Sequence, residues 1–209
     1  MGVRVLLEEL GVEYSLIQTS IDRRDPPDEA LLALNPNGWI PVLCWDDQSI
    51  YECAAIFTFL CERHPAPGLA PGVGDPARGE FLQWLVFFSS SLQNAFQMTY
   101  YPDRFCAAKA DYASVQARSV SRLRELWKVV DDALVDRTWL LGDRFSAVDI
   151  YLYMLTTWLS PRHSHPTVDE FCGIQRVVDA VAERRSVQVV RKSGGMTRPV
   201  RVSGAHRRV

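Results

Sequence analysis

Between Ile40 and Cys53 the chain gathers residue types that could bind an extended, negatively charged ligand. Pro41 has no N–H, so a strand that carries it is an edge, a strand start, or is entered through a cis peptide bond in a tight turn. In each case the backbone of Ile40 keeps polar groups that the sheet does not pair and that a ligand can take up by strand addition. Glu52 and Cys53 stand just before Ile56, Phe57, Leu60 and Cys61, which share one helical face. The free N–H groups at such a helix start favour an anion, a carboxylate for example. Glu52 also reads more simply as an acid placed to complement the helix start. A thiol in the place of Cys53 ionises more readily than one elsewhere, which opens a mixed disulfide with a bound ligand thiol when that thiol arrives as a disulfide and the other half leaves as thiolate.

The elements that must position these residues are written around them. Asn35-Pro36-Asn37-Gly38 is a turn cluster, and Ile40 to Trp45 is a buried-type strand that stops at Asp46-Asp47. Ser49-Ile50-Tyr51 returns as the second strand of a hairpin. Upstream, Val3, Leu6, Leu7 and Leu10 form a helical face that ends at Gly11. Glu13 to Ile17 alternates as a strand, Asp22 to Asp28 is a charged loop, and Glu29 to Leu34 is a short helix. The order is α-β-α-β-β-α, a small layered α/β unit over residues 1–64. Residues 65–75 are rich in proline and glycine and read as a linker.

From 76 to 190 the pattern is helical throughout. Asp75-Pro76 opens a helix that runs to about Thr99 and ends before Pro102. Ala107 to Leu134 is one long amphipathic helix. Ser146-Ala147-Val148-Asp149 has the form of a capping box ahead of the almost wholly apolar Ile150 to Leu159. Ser146 and Asp149 are therefore read as folding residues. Phe171 to Val190 is the final helix, with Ile174, Val177, Val178 and Val181 inward. Residues 191–209 carry arginine and lysine without acid and read as a flexible basic tail.

Composition narrows the function. A net charge of −2 recommends neither nucleic acid nor a polybasic membrane contact. Five cysteines, odd in number and without paired-ligand spacing, read as reduced thiols and not as a zinc site. No apolar run reaches the length of a membrane span, so a cytoplasmic protein is the expectation. His163 and His165 lack an acidic or thiol partner at ligand spacing and read as surface histidines. Tyr14, a tempting hydroxyl, lies on the strand after the first helix and reads as packing.

Two runs carry a family resemblance. NPNGWIPVL followed by IYECAAIFTFLCERHP resembles the glutathione-binding half of the soluble, bacterial-type glutathione transferases. LLGDRFSAVDIYLY resembles the capped, buried helix of their second domain. The implied fold is an α/β thioredoxin-like N-terminal domain, truncated at its start, followed by an all-α C-terminal domain. The resemblance implies a cis bond before Pro41, pairing of the Ile40 backbone with the cysteinyl part of glutathione, and a γ-glutamyl carboxylate held at Glu52 and Cys53. Cys53 replaces the family's serine, and Trp39 replaces its lysine and becomes a wall of the glutathione site. Phe96, Met98, Tyr100 and Tyr101 fall where the family borders its electrophile pocket, and read equally as core packing.

In the family a first strand and loop carry the Ser, Tyr or Cys that activates the thiol, ahead of the helix matching Val3 to Leu10. That strand sits centrally, between those matching Glu13–Ile17 and Ile40–Cys44, and would lie before Met1. The catalytic residue is thus unknown. Three explanations compete: a start placed too late, a truncated relative, or another strand, from Ser186–Arg191 or Met196–Ser203, filling the gap. The expected function is conjugation of the glutathione thiolate to a small hydrophobic electrophile, with N–H groups around Gly2 to Val5 facing the sulfur. The alternative is a non-catalytic glutathione-binding or scaffold protein. A homodimer with no metal, and with glutathione as substrate or ligand, completes the expectation.

Overall fold

A computed structural model describes residues 1–19, 28–193 and 200–202. They form two compact units, one of Met1–Gly68 together with the described residues from Arg185 on, the other Leu69–Arg184. The first is mixed α/β and the second predominantly helical, in the order the sequence anticipates.

In the first unit, helix α1 (Gly2–Leu10) buries Val3, Val5, Leu6 and Leu7 and stops at Gly11, whose left-handed backbone (φ 66°) lets its N–H reach Glu8 O. Strand β1 (Ser15–Leu16) follows. Helix α2 (Glu29–Leu34) is capped by Asp28, which accepts from the backbone N–H groups of Ala30 and Leu31. The charged loop before it lies mostly outside the described residues. Strands β2 (Val42–Trp45) and β3 (Gln48–Tyr51) form an antiparallel hairpin with Val42 opposite Tyr51 and Trp45 opposite Gln48. Helix α3 (Cys53–Arg63) buries Ile56, Phe57, Leu60 and Cys61, the face its periodicity predicts.

The C-terminal part departs from expectation twice. The final helix breaks at Glu183–Arg184 into α8 (Cys172–Ala182) and α9 (Arg185–Lys192). The buried stripe Ile174, Val177, Val181 would next bring Arg184, Arg185 and Gln188 inward if the helix continued. Breaking it re-phases the chain, so that Val187 and Val190 are buried instead. Helix α9 then belongs to the first unit, not the helical one. It packs on α1, with Ser186 donating to Glu9 (2.6 Å) and Arg4 donating to Ser193.

The tail departs from the flexible reading and instead supplies the strand that the third explanation above drew from Met196–Ser203. Val200–Val202 is a strand, β4, lying between β1 and β2 in the order β1-β4-β2-β3. It runs antiparallel to β1 (Ser15 opposite Arg201) and parallel to β2 (Leu43 opposite Val200, Trp45 opposite Val202). Arg191 and Lys192 close α9. The expectation of a flexible tail fails at these residues, and the remainder lies outside the described ones. The physical reason is the sheet itself: an open slot between β1 and β2 leaves two rows of backbone N–H and C=O unpaired, and any segment able to reach them gains a ladder.

In the helical unit, α4 (Arg78–Val86) runs through a π-helical segment, Phe87–Leu92, into α5 (Gln93–Tyr100). Gln93 N–H reaches back to Phe88 O, and the hydroxyls of Ser89 and Ser90 both donate to Val86 O at 3.1 and 2.8 Å. Helix α6 (Tyr112–Ala133) packs on α5. Helix α7 (Ala147–Thr156) is buried at every position and forms the centre of this unit. Ser146 and Asp149 close a capping box at its start. The Asp149 carboxylate accepts from Leu140 N (3.0 Å), Ser146 N (2.8 Å) and Ser146 Oγ (3.0 Å). Its pKa is nonetheless raised to about 6, because burial outweighs those bonds.

Ending the chain at Ser193 removes β4 and opens both flanking strands. The first unit should lose on the order of 2–4 kcal/mol, at about 1 kcal/mol for each ladder hydrogen bond, and amide protons of Val42–Trp45 should exchange markedly faster. Unchanged exchange at those amides would mean that β4 does not hold the sheet.

Candidate functional site

The turn before β2 is built on one buried amide. Asn35 is 2% exposed, and its side chain holds both sides of the turn: Nδ2 donates to Trp39 O (2.8 Å), and Oδ1 accepts from Asn37 N (3.1 Å). Its backbone takes part too, accepting from Gly38 N at 2.8 Å. Gly38 has φ 68°, and a Cβ there would stand 3.3 Å from Leu32 Cδ2, so the turn needs glycine. The sequence names Asn35 as a turn residue, but its role as the staple comes only from its burial.

This turn delivers Ile40 into a cis peptide bond with Pro41. The backbone N–H and C=O of Ile40 make no hydrogen bond among the described residues. Trp39, Ile40 and Pro41 are half-buried. Because Val42 pairs with Tyr51, Pro41 and Glu52 are next to each other at the same end of the hairpin. The register alone brings together residues eleven positions apart in sequence.

Glu52 is exposed and holds φ 70°, ψ 119°, a region that costs a non-glycine residue about 1–3 kcal/mol. It is the N-cap of α3, and no side chain caps that helix. The first turn of α3 thus has no side-chain cap, and Cys53 is buried at the first helical position. A strip results, half-buried at Ile40 and exposed at Glu52, running from the unpaired Ile40 backbone to the α3 N-terminus. It offers main-chain pairing at one end and an anion cradle with an adjacent carboxylate at the other.

The other sequence-predicted residues sit in the helical unit or are otherwise engaged. Phe96 is 1% exposed and packs edge-on against Trp127, Trp158 and His165, so its ring is core and not a pocket wall. Tyr100 is partly exposed, and its hydroxyl donates to Trp158 O (2.6 Å). Tyr101 is half-buried, with the Arg104 guanidinium 5.2 Å from its ring centre. Met98 lines a groove between α5 and α6. Tyr14 donates to Glu8 (2.7 Å). Among the described residues no group of three or more His, Cys, Asp or Glu is placed to hold a metal ion. Nor is any helix among them long and apolar enough to cross a membrane.

His165 corrects the expectation of a surface histidine, being 4% exposed. Ser160 N–H donates to its Nδ1 (3.2 Å), which fixes the proton on Nε2, and Nε2–H donates to Thr99 Oγ1 (3.1 Å). Thr99 in turn meets Ser119 Oγ at 2.5 Å, and Ser119 donates to Ala95 O (2.7 Å). This relay ties the 160–165 loop to α5 and α6. Burial, with His163 beside it, pushes the His165 pKa down to about 4. The sequence shows no acid or thiol near it; its partners are a backbone N–H of its own loop and the Thr99 hydroxyl that packing brings to it.

Comparison with known proteins gives a consistent picture. Residues 1–68 match the family model "Glutathione S-transferase, N-terminal domain", and residues 82–185 match "Glutathione S-transferase, C-terminal domain". Glutathione S-transferase GstB of Escherichia coli strain K12 is 29% identical over 201 residues, covering 90% of both chains. The stringent starvation protein A homolog of Pasteurella multocida is 30% identical over 152 residues, 72% of this chain and 65% of that one. Among solved structures, a sphingomonad glutathione S-transferase complexed with glutathione superposes with TM-score 0.80 at 25% identity, covering 93% of this chain and 94% of the other. The ternary complex of BphK, a bacterial GST, gives 0.80 at 26% identity with the same coverage.

Two outcomes test the geometry. Glu52→Gly should leave stability unchanged or raise it by up to about 1 kcal/mol, since relief of the positive φ offsets the entropy cost of glycine; Glu52→Ala, which keeps the strain, should not. The folded-state pKa of His165 lies below the 6.5 of the free side chain. Its stabilisation is therefore complete above pH 6.5 and is lost as pH falls towards about 4. In urea titrations the stability advantage of the wild type over His165→Gln should shrink across that window.

Proposed function

Because the chain belongs to the glutathione S-transferase family, we propose that it binds glutathione along the strip from Ile40 to the start of α3. The Ile40 backbone pairs with the cysteinyl peptide group, as an added strand would. The N–H groups at the α3 N-terminus take the γ-glutamyl carboxylate, and the Glu52 carboxylate accepts from the neighbouring ammonium. Trp39 forms the wall beside it. The observation that carries this reading is the pairing of Val42 with Tyr51, which sets the unpaired Ile40 backbone and the uncapped α3 start at one end of one hairpin.

Within residues 1–209 the reading is of a ligand-binding protein and not a conjugating one. In the family the activating hydroxyl or thiol is carried by the strand and loop ahead of the helix matching α1. The slot of the strand that carries it is occupied here by β4. Tyr14, the nearest substitute, is committed to Glu8. The second reading, conjugation to a small hydrophobic electrophile near Tyr100 and Tyr101, is favoured by the names of the bacterial relatives and needs an activating group from outside these residues. A cytoplasmic homodimer goes with either reading, and light scattering tests the dimer.

Calorimetric titration with glutathione, beside a conjugation assay with a chlorodinitrobenzene, separates them. Saturable binding should appear, weakened about tenfold in Glu52→Ala, as expected for one lost charge-assisted hydrogen bond. Conjugation should not exceed the uncatalysed rate. Absence of saturable binding sinks the proposal, whereas turnover above background establishes the transferase reading.

A further inference from the structure

We propose that the arm formed by α9 and β4 is exchanged between two copies of this chain, each arm docking on α1 and in the β1–β2 slot of the other copy. The arm follows Arg184, the last residue of the helical unit, and belongs to the first unit. Its partners there lie far away in sequence: Glu9 for Ser186, Arg4 for Ser193, and strands β1 and β2 for Val200–Val202. None of those contacts depends on which copy supplies the arm, so the arm of a second copy fits this surface as the chain's own does.

The hinge decides between the two arrangements. Only Glu183 and Arg184 separate α8 from α9, and so short a connection invites exchange. Glu183 is close to helical (φ −78°, ψ −11°), and Arg184 N bonds Val181 O at 3.1 Å, three residues back instead of four. A change of about 30° in ψ brings Glu183 to the α-helical value, and glutamate and arginine both favour helix. A continuous helix over residues 172–192 then makes the i→i−4 bonds that the break leaves unmade. It keeps Ile174, Val177 and Val181 on one stripe and turns Val187 and Val190 to the other side of the helix. There the two valines need a new apolar cover. The α1 helix of a second copy supplies it, as α1 of the same chain does in the bent form.

One contact opposes the exchange. The Arg184 guanidinium lies 3.7 Å from the Phe145 ring centre, a cation–π pair within the helical unit that anchors the bend. Charge favours the exchange. The arm carries Arg185, Arg191, Lys192, Arg198 and Arg201 and no acid, in a chain of net charge −2. The rest of the chain is therefore acidic and attracts the arm of another copy. The homodimer expected above needs no exchanged arm, so the test must read where the arm docks and not the mass of the assembly.

Glu9→Cys together with Ser186→Cys places two thiols where the structure has a 2.6 Å hydrogen bond. The full chain carrying both is refolded over a range of concentrations, oxidised, and separated denatured without reductant. Exchange gives covalent dimers that neither single variant gives, in a fraction that rises with concentration; arms docked on their own chain give covalent monomers. Adding Arg185→Pro, at the first position of α9 where proline is tolerated, forbids the continuous helix and should lower the covalent dimer at least about tenfold while the internal disulfide still forms. Adding Arg184→Ala removes the Phe145 anchor and should raise the covalent dimer several-fold, an opposite change that simple destabilisation cannot mimic. Covalent monomers alone at every concentration, or a covalent dimer indifferent to both hinge substitutions, would overturn the proposal.

Discussion

The pairing of Val42 with Tyr51 is the constraint on which the glutathione-binding unit depends. A hairpin register is set in steps of one residue, and a slip of one would turn every side chain of β2 to the wrong face. Val42 and Leu43 are fully buried and Cys44 nearly so, which holds the strand in place. Once it is held, the residue before Val42 and the residue after Tyr51 are neighbours. The unpaired backbone at Ile40 and the open start of α3 then face the same ligand. Asn35 completes the arrangement from below, with its amide spanning the turn that aims Ile40.

The helical unit solves a different problem with related means. Its central helix is buried along its whole length, so its first-turn N–H groups have no access to water and must be satisfied by protein. Asp149 and Ser146 do this, and Asp149 also reaches Leu140 in the preceding connector. The carboxylate sits where desolvation raises its pKa, which shows that the bonds it makes are needed against a real cost. The relay from His165 through Thr99 to Ser119 is a second buried polar chain in the same unit. It is built from groups that are individually unremarkable in sequence.

Much of this was legible beforehand. The α-β-α-β-β-α order, the hairpin and the buried face of α3 follow from spacing. The capping box is visible because its two residues are three apart, within a single helical turn. Other features had no such local mark. The break between α8 and α9 was readable in principle, since Arg184, Arg185 and Gln188 interrupt the apolar stripe. The destination of α9 on α1 was not. His165 reads as a surface residue because no acid or thiol stands near it in sequence; its partners are the Ser160 N–H five residues back and the Thr99 hydroxyl on α5.

The sequence by itself determined the family, the elements of each unit, and the residues at the two ends of the proposed glutathione strip. Each of these rests on contacts short in sequence: turn chemistry, periodicity and caps. The sequence offers Ser186–Arg191 and Met196–Ser203 as candidates for the centre of the sheet, and the tertiary structure decided between them. The demand that backbone groups be paired is indifferent to sequence, so the slot between β1 and β2 could be filled by any extended segment that reaches it, and Val200–Val202 does. It also decided that Phe96 is core while Met98, two residues on, lines an open groove, because a two-residue step on a helix turns a side chain to another face.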